Sequence, residues 1–337
     1  ANKLFSHIDR GAWEVVEGLE LDNTAVSASE LRNVSAQALV HQYFSIDKEH
    51  AEPLIISDGV VIPEQGLVAS LSDPRYAKSV PVMAGSNRDE VALWLGLNRY
   101  FVDGESSFFG LLPPKVNIRD PELYRYWVRQ RSRGWKVRAV DTPLERLESA
   151  GYLDLYAYRF DWDEQDDNWF VPFSKILGAA HGSEIAFVMG APMYGSVGEY
   201  MYPDSDSARD MTAVMMGAWG AFARDGAPGA VNGVIWPKFT SATPEIMVLD
   251  AGLDTSHVAI DSPGLGGLLD EIAVTESALD PQQTCILVWE LVTNVGDALY
   301  DAYGNWGSGR CADLDVPATK SAVRARLIKQ YGSPDLF

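Results

Sequence analysis

Three short apolar runs, each followed by a helical stretch, set the strongest limit on what this chain can fold into. Ser79-Val80-Pro81-Val82-Met83-Ala84-Gly85 is a continuous apolar run of strand length. Such a run suits a strand buried on both faces, as in a parallel sheet. Leu153–Phe160 reads as a second strand and Ile246–Asp250 as a third. Between and after them lie helical patterns. Leu93, Trp94 and Leu97 share one face of a short helix. Residues 100–150 read as mainly helical, anchored by Tyr124, Tyr126, Trp127 and Trp135. Ser207–Arg224 carries Met211, Val214, Met215, Trp219 and Phe222 at helical spacing, ahead of Gly226 and Pro228. Helical patterns begin again at Cys285 and at Ala318. The alternation predicts an α/β fold with a parallel sheet.

The 337 residues suit one large domain or two ordinary ones, and 47% apolar content supports a sizeable core. The net charge of −20 argues against nucleic acid or anionic membranes as partners, because both select positive patches. No run approaches the roughly 18 apolar residues of a membrane span. The opening Ala-Asn-Lys-Leu-Phe-Ser-His lacks the apolar region of a signal peptide, so such a leader is expected to be absent or already removed.

Several local features have plain readings. Ser29–Val40 predicts two short helices, each opened by a serine, and Pro53–Pro63 an apolar strand-like arm turning at Asp58-Gly59. The acidic run Asp161–Asp167 is no EF-hand, since Asp166 and Pro172 stand where glycine and glutamate are needed; it reads as a solvated loop. Arg125, Arg129, Arg131, Arg133, Lys136 and Arg138 read as a solvated helix face. Gly264–Leu268 lacks the pattern of a phosphate cradle. Cys285 and Cys311 fit either two buried thiols or one disulfide in an oxidising compartment. Asn33-Val34-Ser35 is a lone glycosylation sequon.

Of five histidines, only His181 sits in a turn of small residues, Ala179-Ala180-His181-Gly182-Ser183, with the apolar Ile185, Phe187, Val188 and Met189 behind it. Alone it reads as a hydrogen-bonded histidine near a core. Glu90, however, lies just past the first strand and His181 past the second. Reactive groups in open α/β sheets gather beyond the carboxyl ends of strands. A carboxylate accepting from one ring nitrogen fixes the tautomer and stabilises the imidazolium that forms during acyl transfer.

Gly85-Ser86-Asn87-Arg88-Asp89-Glu90 resembles the acid motif of the type-B carboxylesterase/cholinesterase family, and Ala180–Gly190 resembles its catalytic-histidine segment. Ser57–Pro63, Trp219–Gly226 and Trp236-Pro237-Lys238-Phe239 resemble further family segments, in family order, over about residues 50–295. The resemblance implies Glu90 as the triad acid, with Asp89 as the competing acid, and His181 as the general base. It also implies Glu184 as a buried support of the site. Leu93 and Trp94 fall where the family lines its gorge, with core packing as the equal alternative.

No G-x-S-x-G pentapeptide is present; Gly195-Ser196-Val197-Gly198 is the nearest phrase, and the family's oxyanion loop is absent too. The resemblance therefore implies the C-terminal part of an α/β-hydrolase domain, a mixed, mostly parallel sheet flanked by helices, with a helical insertion at about 95–150 and a C-terminal helical segment at about 280–337. The serine is expected on an N-terminal companion chain from a cleaved precursor, joined through a large apolar interface. The implied activity is hydrolysis of a hydrophobic carboxylic ester without metal or cofactor; a Cys285–Cys311 disulfide, if formed, and the acidic composition point to a secreted or periplasmic protein. The alternative is a non-catalytic adhesion module of the same family, which has no need of the Glu90–His181 pair.

Overall fold

The computed structural model describes residues 18–19, 27–45, 57, 59–107, 112–193, 195–275 and 279–335. Two compact units are present, Ala1–Leu67 and Val68–Phe337.

In the first unit, helix α1 (Ala28–Asn33) opens on Ser27. The Ser27 hydroxyl accepts from the Glu30 N–H while the Glu30 carboxylate accepts from the Ser27 N–H. This reciprocal cap needs a glutamate three residues on, which is why Ser27 rather than Ser29 starts the helix. Helix α2 (Ala36–Ser45) begins at Ser35, whose Oγ accepts from the Ala38 N–H at 3.1 Å. Of the expected apolar arm, Pro53–Ile56 and Asp58 lie outside the described residues. Gly59–Ile62 is a tight turn rather than a strand, closed by the Gly59 N–H on the Ile62 carbonyl at 2.9 Å. Val60 and Val61 there are exposed.

The second unit is built on a four-stranded sheet in the order β1 (Val82–Asn87), β4 (Leu155–Phe160), β7 (Glu245–Leu249), β8 (His257–Ile260). Strand β1 (Val82–Asn87) is followed by helix α3 (Ala92–Leu97). An antiparallel hairpin, β2 (Val102–Ser107) and β3 (Leu112–Ile118), stands where the sequence suggested helix. Pro113 and Pro114 explain the difference, since neither supplies the N–H that a helix interior requires. Helix α4 (Pro121–Lys136) is capped by Asp120, whose Oδ1 accepts from the N–H groups of Glu122 and Leu123 at 3.1 and 3.0 Å. It passes through a π-turn (Val137–Asp141) into α5 (Thr142–Ser149).

Strand β4 (Leu155–Phe160) lies parallel to β1, pairing Ser86 with Arg159 and Asn87 with Phe160. Helix α6 (Ile185–Met189) and the long α7 (Asp206–Asp225) follow. After a small hairpin, β5 (Ala230–Val231) with β6 (Val234–Ile235), strand β7 (Glu245–Leu249) adds parallel to β4. Strand β8 (His257–Ile260) closes that side antiparallel. Helices α8 (Gly264–Thr275), α9 (Pro281–Thr293) and α10 (Val316–Tyr331) complete the chain.

Strand alternation explains why the sheet runs are apolar at every position. Tyr156, Phe160, Met247 and Leu249 face α7, packing with Met211, Met215 and Ala218. Leu155, Ala157, Ile246 and Val248 face the opposite way, onto Val140, Leu144 and Leu147 of the π-turn and α5. Gly85 in β1 leaves room for the Tyr158 ring on β4, which a Cβ there would overlap.

Two expected solvated stretches are partly interior. In α4, only Arg125 and Arg129 of the basic residues remain mainly exposed. Arg131 pairs with Glu290 at 3.0 Å and Arg133 with Glu271 at 2.6 Å. Lys136 is buried on Asp141, and Arg138 donates to the carbonyls of Val292, Val295 and Asp297. The spacing of charges showed their periodicity but not that α8 and α9 would pack against that face. In the acidic loop, Asp161, Trp162 and Gln165 are buried, and Asp161 is held by Arg159 at 2.6 Å. Among the described residues, no group of three His, Cys, Asp or Glu side chains is placed to hold a metal ion.

Cys285 on α9 is bonded to Cys311, with their Cα atoms 5.5 Å apart. Both sit in the apolar cluster that ties α9 to the C-terminal segment. No described helix is long and apolar enough to cross a membrane.

Candidate active site

The parallel pairing of β1 with β4 brings two loops to the same sheet edge. The first, Arg88–Val91, turns directly from β1 into α3. The second, Gly178–Glu184, leads into α6. Their backbones are tied together: the Asp89 N–H donates to the Ala179 carbonyl at 3.0 Å, and the His181 N–H to the Glu90 carbonyl at 3.2 Å.

At the centre, His181 Nδ1 lies 2.6 Å from Glu90 Oε2. Glu90 Oε1 accepts from the Asn87 N–H at 2.8 Å, so each carboxylate oxygen has its own partner. Glu90 is 4% exposed, whereas the His181 side chain is 46% exposed. Burial pushes the Glu90 carboxyl above its usual range, against the opposing pull of the Asn87 N–H and of His181. The acid is thus dry and fixed, and the imidazole presents its far nitrogen outward. No described protein group bonds Nε2.

Asn87 holds the second loop in place. Its Nδ2 donates to the Ala180 carbonyl at 2.6 Å and to Glu184 Oε2 at 2.5 Å. Glu184 is thus bonded to the site through Asn87, and its charge adds to the upward push on Glu90. Asp89 is turned away from His181: it binds Arg88 at 2.8 Å and accepts from the Ala179 N–H at 3.1 Å. Arg88 continues to Asp163 at 2.6 Å. Burial raises the Asp89 carboxyl, opposed by Arg88. Gly178, at φ +53, has the left-handed backbone that suits glycine, and a Cβ there would strike the Asp89 carboxylate.

The helix face expected from Leu93, Trp94 and Leu97 proves to be the outer one; α3 buries Ala92, Leu95 and Gly96 instead. Leu93 is half-buried against the main core. Trp94, 45% exposed, has its ring 5.1 Å from the imidazole. Trp135, from the last turn of α4, lies 5.3 Å from the same imidazole and stacks on Trp94 at 5.9 Å. In the sequence Trp135 reads only as a helix anchor; nothing local to α4 indicates which loop its ring will meet. Asn87 is visible inside its motif, but its two long-range bonds are not.

Parallel strands with helices on both faces, and an acid and a histidine at their carboxyl edge, fit an α/β-hydrolase fold. Residues 141–260 match the profile of the Carboxylesterase family. The acetylcholinesterase of Bungarus fasciatus is 32% identical over 267 residues, covering 69% of this chain and 42% of that protein. The acetylcholinesterase of Gallus gallus is 31% identical over 135 residues, 37% of this chain and 16% of that one. A solved PNB esterase aligns with a TM-score of 0.47 at 18% identity, over 76% of this chain and 52% of its own. The chain belongs to the type-B carboxylesterase/cholinesterase family, and it spans less than half the length of the curated relatives it matches.

Proposed function

We propose that this chain is the C-terminal portion of a serine carboxylesterase, supplying the triad acid and base to a nucleophilic serine on an N-terminal companion chain. The observation that carries the reading is the 2.6 Å contact between His181 Nδ1 and buried Glu90, with the rest of the imidazole facing outward. The serine Oγ attacks the ester carbonyl as its proton passes to His181 Nε2. The tetrahedral intermediate collapses, that proton goes to the leaving alcohol, and an acyl-serine remains. Water then attacks the acyl group, giving its proton to the same nitrogen, and the carboxylic acid and free serine are regenerated. Glu90 holds the tautomer with Nε2 unprotonated and stabilises the transient imidazolium. No step calls for a metal or cofactor.

Trp94, stacked on Trp135 beside the imidazole, gives the acyl or alcohol group an apolar wall, so hydrophobic esters are the favoured substrates. Leu93 lines that wall through its exposed part, and Glu184 steadies Asn87 behind the pair. The disulfide favours an exported protein folded in an oxidising compartment.

The test is a fluorophosphonate label on the protein purified from its source, read by intact mass, with aryl-ester hydrolysis measured on the assembled enzyme. The label is expected on a companion polypeptide carrying G-x-S-x-G. His181→Ala and Glu90→Gln should each lower kcat by on the order of 10⁴. Undiminished turnover in either variant would refute the assignment, and the absence of any labelled serine would favour an adhesion module instead.

A further inference from the structure

A cavity of about 1240 Å³ opens between α4, the carboxyl ends of β1 and β4, and the loop over 168–178. Neither Glu90 nor His181 lines it. Eight lysine or arginine residues do, against three aspartates, in a chain whose net charge is −20. Five of these cations are already matched: Arg88 by Asp89 and Asp163, Arg125 by Glu122, Arg133 by Glu271, Lys136 by Asp141, and Arg159 by Asp161 and Asp261. Arg129 stands 3.8 Å from Glu271, a carboxylate that Arg133 already engages at 2.6 Å. Lys115 and Lys175 have no carboxylate within 4.0 Å among the described residues, so their charge is directed at whatever enters. Lys115 rests over the Trp169 ring at 5.9 Å, which steadies the ammonium without neutralising it.

An independent observation points the same way. Ser86 also lines the cavity and is 2% exposed, yet its hydroxyl has no hydrogen-bond partner. Along β1 it shares a sheet face with Val82 and Ala84, and it sits opposite Arg159 on β4. A buried hydroxyl left unpaired is uncommon in a native fold and marks a place where a ligand atom or water completes the bonding. Low-dielectric walls around a surplus of positive charge concentrate the field and attract anions, even on an acidic protein. The walls are also apolar, through Ile118, Tyr124, Val128, Ile176 and Leu177. An inorganic ion would leave most of that surface unused.

We infer that this cavity is a second binding site, distinct from the Glu90–His181 pair, for an organic oxyanion: a carboxylate or phosphate head on an apolar body. Lys115, Lys175 and Arg129 meet the head, Ser86 donates to one of its oxygens, and the apolar wall takes the body.

The inference is tested on the 337-residue chain by isothermal titration with octanoate, octyl phosphate and inorganic phosphate at low ionic strength. At least one octyl amphiphile is expected to bind saturably and more tightly than inorganic phosphate, and added salt should weaken it. Preference between the two amphiphiles identifies the head. Lys115→Gln with Lys175→Gln, both surface changes that leave packing intact, should weaken binding by about tenfold or more. Ser86→Ala should weaken it separately. Absence of saturable binding, or binding that both the double variant and Ser86→Ala leave unchanged, overturns the inference. Because none of these readouts uses ester hydrolysis, the site stands or falls apart from the proposed activity.

Discussion

Replacing Lys136 by methionine isolates the energetics of the joint between α4 and the sheet. Lys136 Nζ donates to both oxygens of Asp141, at 2.8 and 2.9 Å, and to the Asp261 carbonyl at 2.5 Å. Asp141 also accepts from Ser262 Oγ at 2.8 Å. Lys136 is 3% exposed and Asp141 1%. At an effective dielectric of about 20, two unit charges at this separation attract by roughly 6 kcal/mol. Taking each ion out of water costs several kcal/mol, so the intact pair is close to neutral in net terms. Lys136→Met removes the attraction and leaves the carboxylate's desolvation in place, at an expected cost of about 3–5 kcal/mol. Adding Asp141→Leu should recover most of that loss.

The pH dependence has a definite sign. Burial already holds the Asp141 carboxyl above its usual range, against the pull of Lys136. A carboxyl raised in the folded state contributes stability below its unfolded value, about 3.9, and loses it as pH rises through the folded value. Without Lys136 the folded value climbs further. The variant should therefore lose more stability at pH 8 than at pH 5. Urea unfolding of both variants at the two pH values measures this. A single-variant cost under about 1 kcal/mol, or a double variant as unstable as the single, would refute the reasoning.

Burial raises Asp250 to about 6. Asp250→Asn, which keeps the oxygen that accepts from the Ala251 N–H at 2.9 Å, should raise stability at pH 8 by roughly 2–3 kcal/mol and change little at pH 3; denaturation curves at both pH values would show it. The Cys285–Cys311 bond closes a span of 26 residues, which the chain-entropy account converts to roughly 3.5 kcal/mol. Paired Cys285→Ala and Cys311→Ala substitutions should lower the unfolding midpoint accordingly, and wild type treated with reductant should show a matching drop.

The chemistry-bearing parts were legible because they are local. Gly85–Glu90 and Ala180–Gly190 each place a reactive group within a few residues of a strand or helix end, and the short continuous apolar runs mark β1, β4 and β7. What failed depends on partners far along the chain. The basic face of α4 has a proper surface periodicity, but Glu271 and Glu290, on α8 and α9, convert much of it to interior. The aromatic residues of 100–150 give a helical pattern that hides the β2–β3 hairpin, whose local signal is the helix-breaking pair Pro113 and Pro114. Trp94 and Leu93 stayed open between site lining and core packing because the surroundings of α3 come from distant segments, His181 in the turn before α6 and Trp135 on α4.

The ties around Asn87 bear on motion as well as geometry. Its N–H and amide, with the His181 N–H on the Glu90 carbonyl, form a closed circuit of bonds joining β1, its following loop and the turn before α6. The imidazole cannot leave its carboxylate by a hinge in one loop alone without breaking bonds that cross between the two. Opening there is a cooperative event, and the amides of Glu90's bonding partners Asn87 and His181 should exchange with solvent together, near the rate of the strands rather than that of loops.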